Sequence, residues 1–170
     1  MERKSYRTRS AERIGGVRFV PSLLRLNHQC LTVLDRTLAA SSPDEGCGLL
    51  LGPVPTSCHW TVSLIWACCN VWIPARDRRS CFALDPREQL SAQRWARAHQ
   101  LRVLGVAHSH PERGSNPSTR DRTWGIPRSL MMIRSAAGDH QAWWLRDDRR
   151  VLPVPIEVWD TLNVPGSLRS

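Results

Sequence analysis

The chain reads as a single α/β domain, a mixed β-sheet with flanking helices, on three observations. Its 170 residues are enough for one sizeable core and too few for two ordinary domains. Short apolar runs of strand length are interspersed with segments of helical period, the alternation expected of an α/β layer architecture. Its 41% hydrophobic and 23% charged content is that of an ordinary globular protein.

Residues 1–16 are polar and arginine-containing, without apolar period, and end at Gly15-Gly16; they predict a flexible basic tail. Val17 to Val20 is a candidate short strand. A helix is expected from Pro21-Ser22 to Ala40, because Leu23, Leu24, Leu31, Leu34 and Leu38 recur at helical spacing before Ser41-Ser42-Pro43 ends it. Cys47 to Gly52 is a continuous apolar run closed by glycine and Pro53, which suits a buried strand. Trp60 to Trp72 reads as a second strand, followed by a polar loop over 74–80. Asp85-Pro86-Arg87-Glu88 has the cap, the proline and the early acid of a helix start. That helix should run through Trp95 to about Gln100, with Leu90, Trp95 and Ala98 facing inward. Leu101 to Ala107 is a strand running into His108-Ser109-His110-Pro111, and 112–117 is loop by composition. Further strands fit 130–134, 140–146 and 151–158. The domain is thus expected over 17–160, with 161–170, carrying Pro165 and Gly166, as a C-terminal tail.

The net charge of +9 invites a nucleic-acid partner. However, Lys4 is the only lysine, and the arginines are scattered rather than massed on one helix, so no specific nucleic-acid partner is expected. An acidic protein partner would exploit the same charge. No apolar run approaches the roughly 18 residues of a membrane span, and residues 1–18 lack the apolar stretch of a secretory signal. A cytoplasmic location without membrane association is therefore expected; the oligomeric state is not legible. Cys30, Cys47, Cys58, Cys68, Cys69 and Cys81 contain no C-x-x-C pair, so reduced thiols serving as small apolar residues are expected.

The chemistry concentrates around His108. On an extended backbone, residues i and i+2 face the same side, so His108 and His110 present two imidazoles together where Pro111 helps stop the strand. Seven residues, of which Pro111, Gly114, Asn116 and Pro117 permit sharp turns, lead to Ser118 and Asp121. The chain can there fold back and offer Asp121 as a third metal ligand, with Ser118 on the same face if a helix begins. Two imidazoles and a carboxylate leave zinc a fourth position for water, the arrangement of a catalytic site. A proton shuttle is also needed, and Glu45, at the mouth of the buried Cys47 strand, is the candidate.

Taken together, Glu45-Gly-Cys-Gly-Leu-Leu-Leu-Gly, His108-Ser-His-Pro, the seven-residue interval and Ser118-x-x-Asp121 resemble the JAMM (MPN+) metalloprotease signature, E…H-[ST]-H-x7-S-x-x-D. Asn70, Arg79-Ser-Cys-Phe-Ala-Leu-Asp-Pro86 and Leu104-Gly-Val extend the likeness to the compact bacterial members. The resemblance implies a mixed, curved sheet of cytidine-deaminase-like fold and one zinc ion per chain held by His108, His110 and Asp121. It further implies Glu45 as the catalytic glutamate and Ser118 as hydrogen-bond donor to the tetrahedral intermediate. Ser109 should point away from the metal, Asp44 is a neighbour only, and His28, His59, His99 and His140 match no motif position. The implied activity is that of a zinc metallopeptidase or isopeptidase cutting an amide bond after the C-terminal Gly-Gly of a ubiquitin-like protein. Without linkage-selecting insertions, a sulfur-carrier protein is the implied substrate. Two alternatives keep the fold: a non-catalytic interaction scaffold, which the complete motif disfavours, and a RadC-like protein associated with DNA repair, in which His-Asn-His-Pro-Ser-Gly stands where this chain has Ser109 and Glu112-Arg113. The H-x-E and P-C-x-x-C pattern of a zinc deaminase is absent.

Overall fold

A computed structural model describes residues 19–160. The two tails expected at 1–16 and 161–170, and Val17 of the first candidate strand, lie outside the described residues; Phe19 and Val20 are not in a strand.

The first described element corrects the expected helix. Leu23–Asn27 is a strand, β1, and the helix α1 spans only His28–Ala39. Leu24 and Leu26 are buried while their neighbours are half-buried, so the leucines that fit a helical period also fit a period of two. The boundary is set by Asn27, whose side chain accepts a 2.7 Å hydrogen bond from the Cys30 amide as the N-cap of α1.

The strand β2 (Cys47–Pro53) lies where the apolar run predicted it. Two other expected strands each divide. Trp60 to Trp72 contains β3 (His59–Val62) and β4 (Leu64–Cys68), and 151–158 contains β8 (Val151–Val154) and β9 (Ile156–Trp159). In both cases the chain leaves one sheet and enters the other. At Ser63 the amide bonds back to Leu51 O; at Pro155 the carbonyl accepts from the Leu24 amide. A three-stranded parallel sheet thus has the order β3-β1-β9.

The larger sheet has six strands in the order β4-β2-β5-β6-β7-β8, with β5 (Leu101–Ser109), β6 (Ser129–Arg134) and β7 (His140–Leu145). All of its pairings are antiparallel except β5 with β6. One face carries Leu50, Leu104, Leu130, Met132 and Trp144 onto Leu34 and Leu38 of α1 and onto the small sheet. There Trp60 meets Trp144 edge-to-face at 5.4 Å, the geometry aromatic quadrupoles favour. The other face packs Leu49 and Leu51 against Ala92 and Ala96 of α2 (Pro86–Ala98). The start of α2 is as expected, capped by Asp85 with Pro86 in its first turn. Its inward face is not: Leu90 and Ala98 are exposed, and the small Ala92 and Ala96 make the close contact, with Trp95 half-buried beside them.

Gly105 allows β5 and β6 to approach. A Cβ there would overlap the carbonyl oxygen of Leu130, a backbone atom with nowhere to go. Gly105→Ala should therefore cost about 1–3 kcal/mol of stability, seen as a melting temperature several degrees lower; melting at the wild-type temperature would show that the strands tolerate a wider spacing.

Candidate active site

β5 ends in Ala107-His108-Ser109 with His110 directly after it, and strand alternation divides this stretch between the two faces of the sheet. Ser109 turns toward α1: its hydroxyl accepts a 2.8 Å bond from the Gly46 amide and donates to Leu38 O at 3.4 Å. His108 and His110 turn the other way, both fully buried, with their Nε2 atoms 3.1 Å apart. The His110 amide is held by Arg134 O on β6 at 2.8 Å.

The loop after His110 returns the chain through a short helix, α3 (Thr119–Trp124), capped by Ser118. Ser118 Oγ accepts from the Asp121 amide at 3.1 Å, and Asp121 Oδ2 accepts from the Ser118 amide at 2.6 Å, a reciprocal capping box. This box fixes the Asp121 carboxylate, whose Oδ1 lies 3.3 Å from His108 Nε2 and whose Oδ2 lies 3.3 Å from His110 Nε2. Among the described residues His108, His110 and Asp121 form the one cluster of three side chains able to hold a metal ion, their donor atoms all within 4.8 Å of one another.

The donor set fits zinc. Edges of 3.1 to 3.3 Å match the roughly 3.3 Å between two ligands of a tetrahedral ion bonded at about 2.0–2.1 Å. His110 Nδ1 donates to Gly114 O at 2.8 Å, which leaves the Nε2 lone pair facing the cluster, as an outer hydrogen bond commonly does for a ligating histidine. Phe82 stacks on the His108 ring at 4.4 Å and 22° and closes that side.

Electrostatics separate the groups. Burial lowers the pKa of His108. Burial also opposes charge on His110, yet the Asp121 carboxylate and the Gly114 carbonyl outweigh it and raise its pKa. For Asp121, burial is overcome by the hydrogen bonds to both histidines, and its carboxyl is held well below the usual carboxylate range.

Glu45 is 2% exposed. Burial pushes its pKa up to about 7, with His110 opposing that shift, Asp121 adding to it and Arg113 opposing it. A carboxyl so placed takes up and gives back a proton readily near neutral pH. Its backbone is pinned on both sides: the amide donates to Arg78 O at 2.8 Å, and the carbonyl accepts from Asn70 Nδ2 at 2.9 Å. Asn70 bonds Cys81 O as well and accepts from the amides of Trp72 and Ala83. The sequence placed Asn70 at the end of a strand run but did not reveal this cross-linking role. Arg113 Nη2 lies 3.2 Å from Glu45 Oε1, a contact no spacing rule could have found.

A groove of about 400 Å³ opens beside these residues, lined among others by Glu45, Asp121, Phe82, Trp72 and Trp124. Trp72 and Trp124, both in its lining, stack on each other at 5.1 Å, and Trp124 and Ile126 are mostly exposed. The remaining histidines stay out of the cluster. His28, His59 and His99 are exposed, while His140 is half-buried beside Asp35. All six cysteines are free; burial pushes the thiols of Cys47 and Cys68 up to about 12, so they remain protonated. No helix among the described residues is long and apolar enough to cross a membrane.

Comparison with known proteins gives concordant matches. The family model of prokaryotic homologs of the JAB domain matches residues 29–146. A desampylase of Haloferax volcanii is 32% identical over 123 residues, 70% of this chain and 83% of that one. A desampylase of Pyrococcus furiosus is 31% identical over 81 residues, 45% of this chain and 56% of that one. Among solved structures, a protein from Desulfitobacterium hafniense superposes with a TM-score of 0.73 at 25% identity, covering 83% of this chain and 96% of that chain. One from Salinibacter ruber does so with a TM-score of 0.61 at 29% identity, covering 81% and 92%.

Among the described residues the Ser109 hydroxyl is the acceptor shown for the buried Gly46 amide. Ser109→Ala should thus lower the unfolding free energy by about 1–3 kcal/mol, measured by denaturant titration. An unchanged midpoint would mean that this amide finds another partner.

Proposed function

The chain belongs to the prokaryotic homologs of the JAB domain, the JAMM/MPN-type family its motif resembles, and from this premise we propose that it is a zinc-dependent peptidase or isopeptidase acting on ubiquitin-like proteins. The observation that carries the reading is the convergence of His108, His110 and Asp121 next to a buried Glu45 whose pKa stands near neutrality. The desampylase relatives support a deconjugating hydrolase.

In this reading His108, His110 and Asp121 hold the ion, and the capping box keeps Asp121 in register. What zinc supplies there when bound is Lewis acidity, toward the substrate carbonyl and toward a water whose pKa it lowers to about 7. Glu45 takes the proton from the attacking water and passes it to the leaving nitrogen. Ser118 already accepts the Asp121 amide, so its own hydroxyl hydrogen remains to donate to the oxygen on which negative charge develops. The groove running from Trp72 and Trp124 to Glu45 receives the acyl side of the substrate. Glycines suit it, because without Cβ an extended tail passes close to the reacting centre. A sulfur-carrier protein ending in Gly-Gly is the proposed substrate, and the net charge of +9 would speed capture of an acidic one.

Purified protein should hold about one zinc per chain. The double variant His108→Ala, His110→Ala should hold almost none by elemental analysis, and full retention would end the proposal. Glu45→Gln should keep the metal and lose roughly 10²–10⁴-fold in rate. Ser118→Ala should lower kcat by around 10²-fold and also cost about 1 kcal/mol through the lost cap.

The substrate is tested with a carrier bearing a few residues after Gly-Gly, followed by mass spectrometry. Cleavage after the second glycine by the wild type and not by Glu45→Gln is the expected result. Intact carriers alongside hydrolysis of an unrelated small amide would show this substrate class to be wrong.

A further inference from the structure

Resting on the peptidase reading, we propose that Arg113 binds the free α-carboxylate of the residue released. The enzyme then removes one C-terminal amino acid from a Gly-Gly end in preference to an amidated or isopeptide-linked group. Arg113 touches Glu45 with one nitrogen, Nη2, at 3.2 Å. Its side chain makes no other hydrogen bond or ion pair among the described residues, and it is 46% exposed. A guanidinium carries five N–H donors in a planar fork, and only Nη2 of this one makes a hydrogen bond to another described side chain, that to Glu45. Its backbone is fixed, the amide donating to His110 O and the carbonyl accepting from Ala136 N at 2.9 Å. The cation is therefore positioned by the same loop that carries the chain from His110 to Ser118.

Glu45 and Asp121 line the groove, while Arg113 touches Glu45 without being one of its lining residues. In the hydrolysis, the water oxygen bonds to the glycine carbonyl carbon and the C–N bond breaks. Glu45 delivers the water's proton to the departing nitrogen, and the products are a carrier ending in a Gly-Gly carboxylate and a free amino acid. The departing nitrogen must thus sit beside Glu45, and an α-carboxylate carbon is only two bonds from it. A guanidinium already against Glu45 is within reach of that carboxylate and matches its planar geometry. The other nearby arginines are engaged: Arg78 with Trp72 O, Arg79 with Glu112, and Arg120 with Ser80 and Cys81. The ε-amine of a lysine brings no carboxylate to this position.

The test uses zinc-loaded full-length enzyme and three forms of one ubiquitin-like carrier. These carry Gly-Gly followed by one residue with a free carboxylate, the same residue as its amide, or Gly-Gly joined to a lysine side chain of a peptide. Wild type should cut the free acid with a kcat/KM about ten- to a hundred-fold above the amide, the range of a charge-assisted hydrogen bond. Arg113→Ala should erase that ratio by slowing the acid more than the amide, any change in Glu45 falling on both substrates alike, and Arg113→Lys should restore part of it. If Arg113→Ala does not fold, Arg113→Gln keeps the stem and takes its place, and the wild-type ratio still decides. Equal wild-type rates on acid and amide, or a preference that survives loss of the guanidinium, overturns the assignment while leaving the peptidase reading intact. Failure to cut any of the three overturns the peptidase reading and this assignment with it.

Discussion

Four ionisable side chains, Glu45, His108, His110 and Asp121, are buried in one place, and that burial is the constraint to which the surrounding structure answers. A charge withdrawn from water costs several kcal/mol unless it is paired and hydrogen-bonded. Asp121 meets the condition with two imidazoles and the Ser118 amide, His110 with the Gly114 carbonyl, and Glu45 with Arg113. Arg113, His110 and Ser118 are in turn held by backbone bonds to Ala136, Arg134 and Arg122. The apolar clusters pack on the two faces of the sheet, and Leu49, Val103 and Val106 of one of them also line the groove beside Glu45 and Asp121. The polar cluster itself depends on hydrogen bonds, whose loss exposes an unpaired buried group rather than an empty space.

Ser109 shows how closely stability and geometry are joined. It stands between two site residues yet faces α1, where it bonds the Gly46 amide and Leu38 O, while the Ser109 amide bonds Gly46 O. A Cβ on Gly46 would collide with the backbone of Leu38, so the Glu45-Gly46 segment passes against the end of α1 with no room for a side chain. The position of the Glu45 carboxyl thus derives from β5, α1 and the Asn70 side chain together. Moving any of them would move the acid relative to the imidazoles, and proton transfer is sensitive to such displacements.

The parts of this arrangement legible in the sequence are those set by local rules. The shared face of His108 and His110 follows from the period of a strand, and the return of Asp121 to them from the turn-permitting Pro111, Gly114, Asn116 and Pro117; that Ser118 caps the short helix is visible only in the structure. Cys47 to Pro53, the Asp85 cap and β5 announced themselves in the same way. The misread elements were decided by tertiary contacts. Leu23, Leu24 and Leu26 satisfy two periods at once, and only Asn27, a cap residue inside the apolar pattern, marks where strand gives way to helix. Ser63 and Pro155 divide apparently continuous strands because the two halves belong to different sheets, which no local pattern encodes. Ala92 and Ala96 form the inner face of α2 because closeness to the sheet outweighs side-chain size. Glu45 is a candidate from its place just before the buried Cys47 strand, but only the whole motif separates it from a surface acid. Neither Arg113 nor Phe82 can be given a role from the sequence, their importance arising from contacts with residues far away in the chain.

The topology explains why these distant residues meet at the end of β5. Strands β2 and β6 flank β5, one antiparallel and the other parallel. An antiparallel neighbour leaves its own beginning next to the end of β5, and Glu45 immediately precedes β2, whose Cys47 pairs with His108. A parallel neighbour instead requires the chain to travel back along the sheet before it can start, through a crossover of a dozen or more residues. The segment 110–128 is that crossover, and it must leave directly from the histidines. Its first turn carries Arg113 and Gly114, and its short helix carries Ser118 and Asp121. One strand with one neighbour of each sense therefore brings a residue preceding β2 and residues following β5 to the same point. The motif can be read as a linear spacing because the crossover length is fixed by the geometry of a parallel pair, with the seven residues after His110 supplying the turn that aims α3 back at the imidazoles.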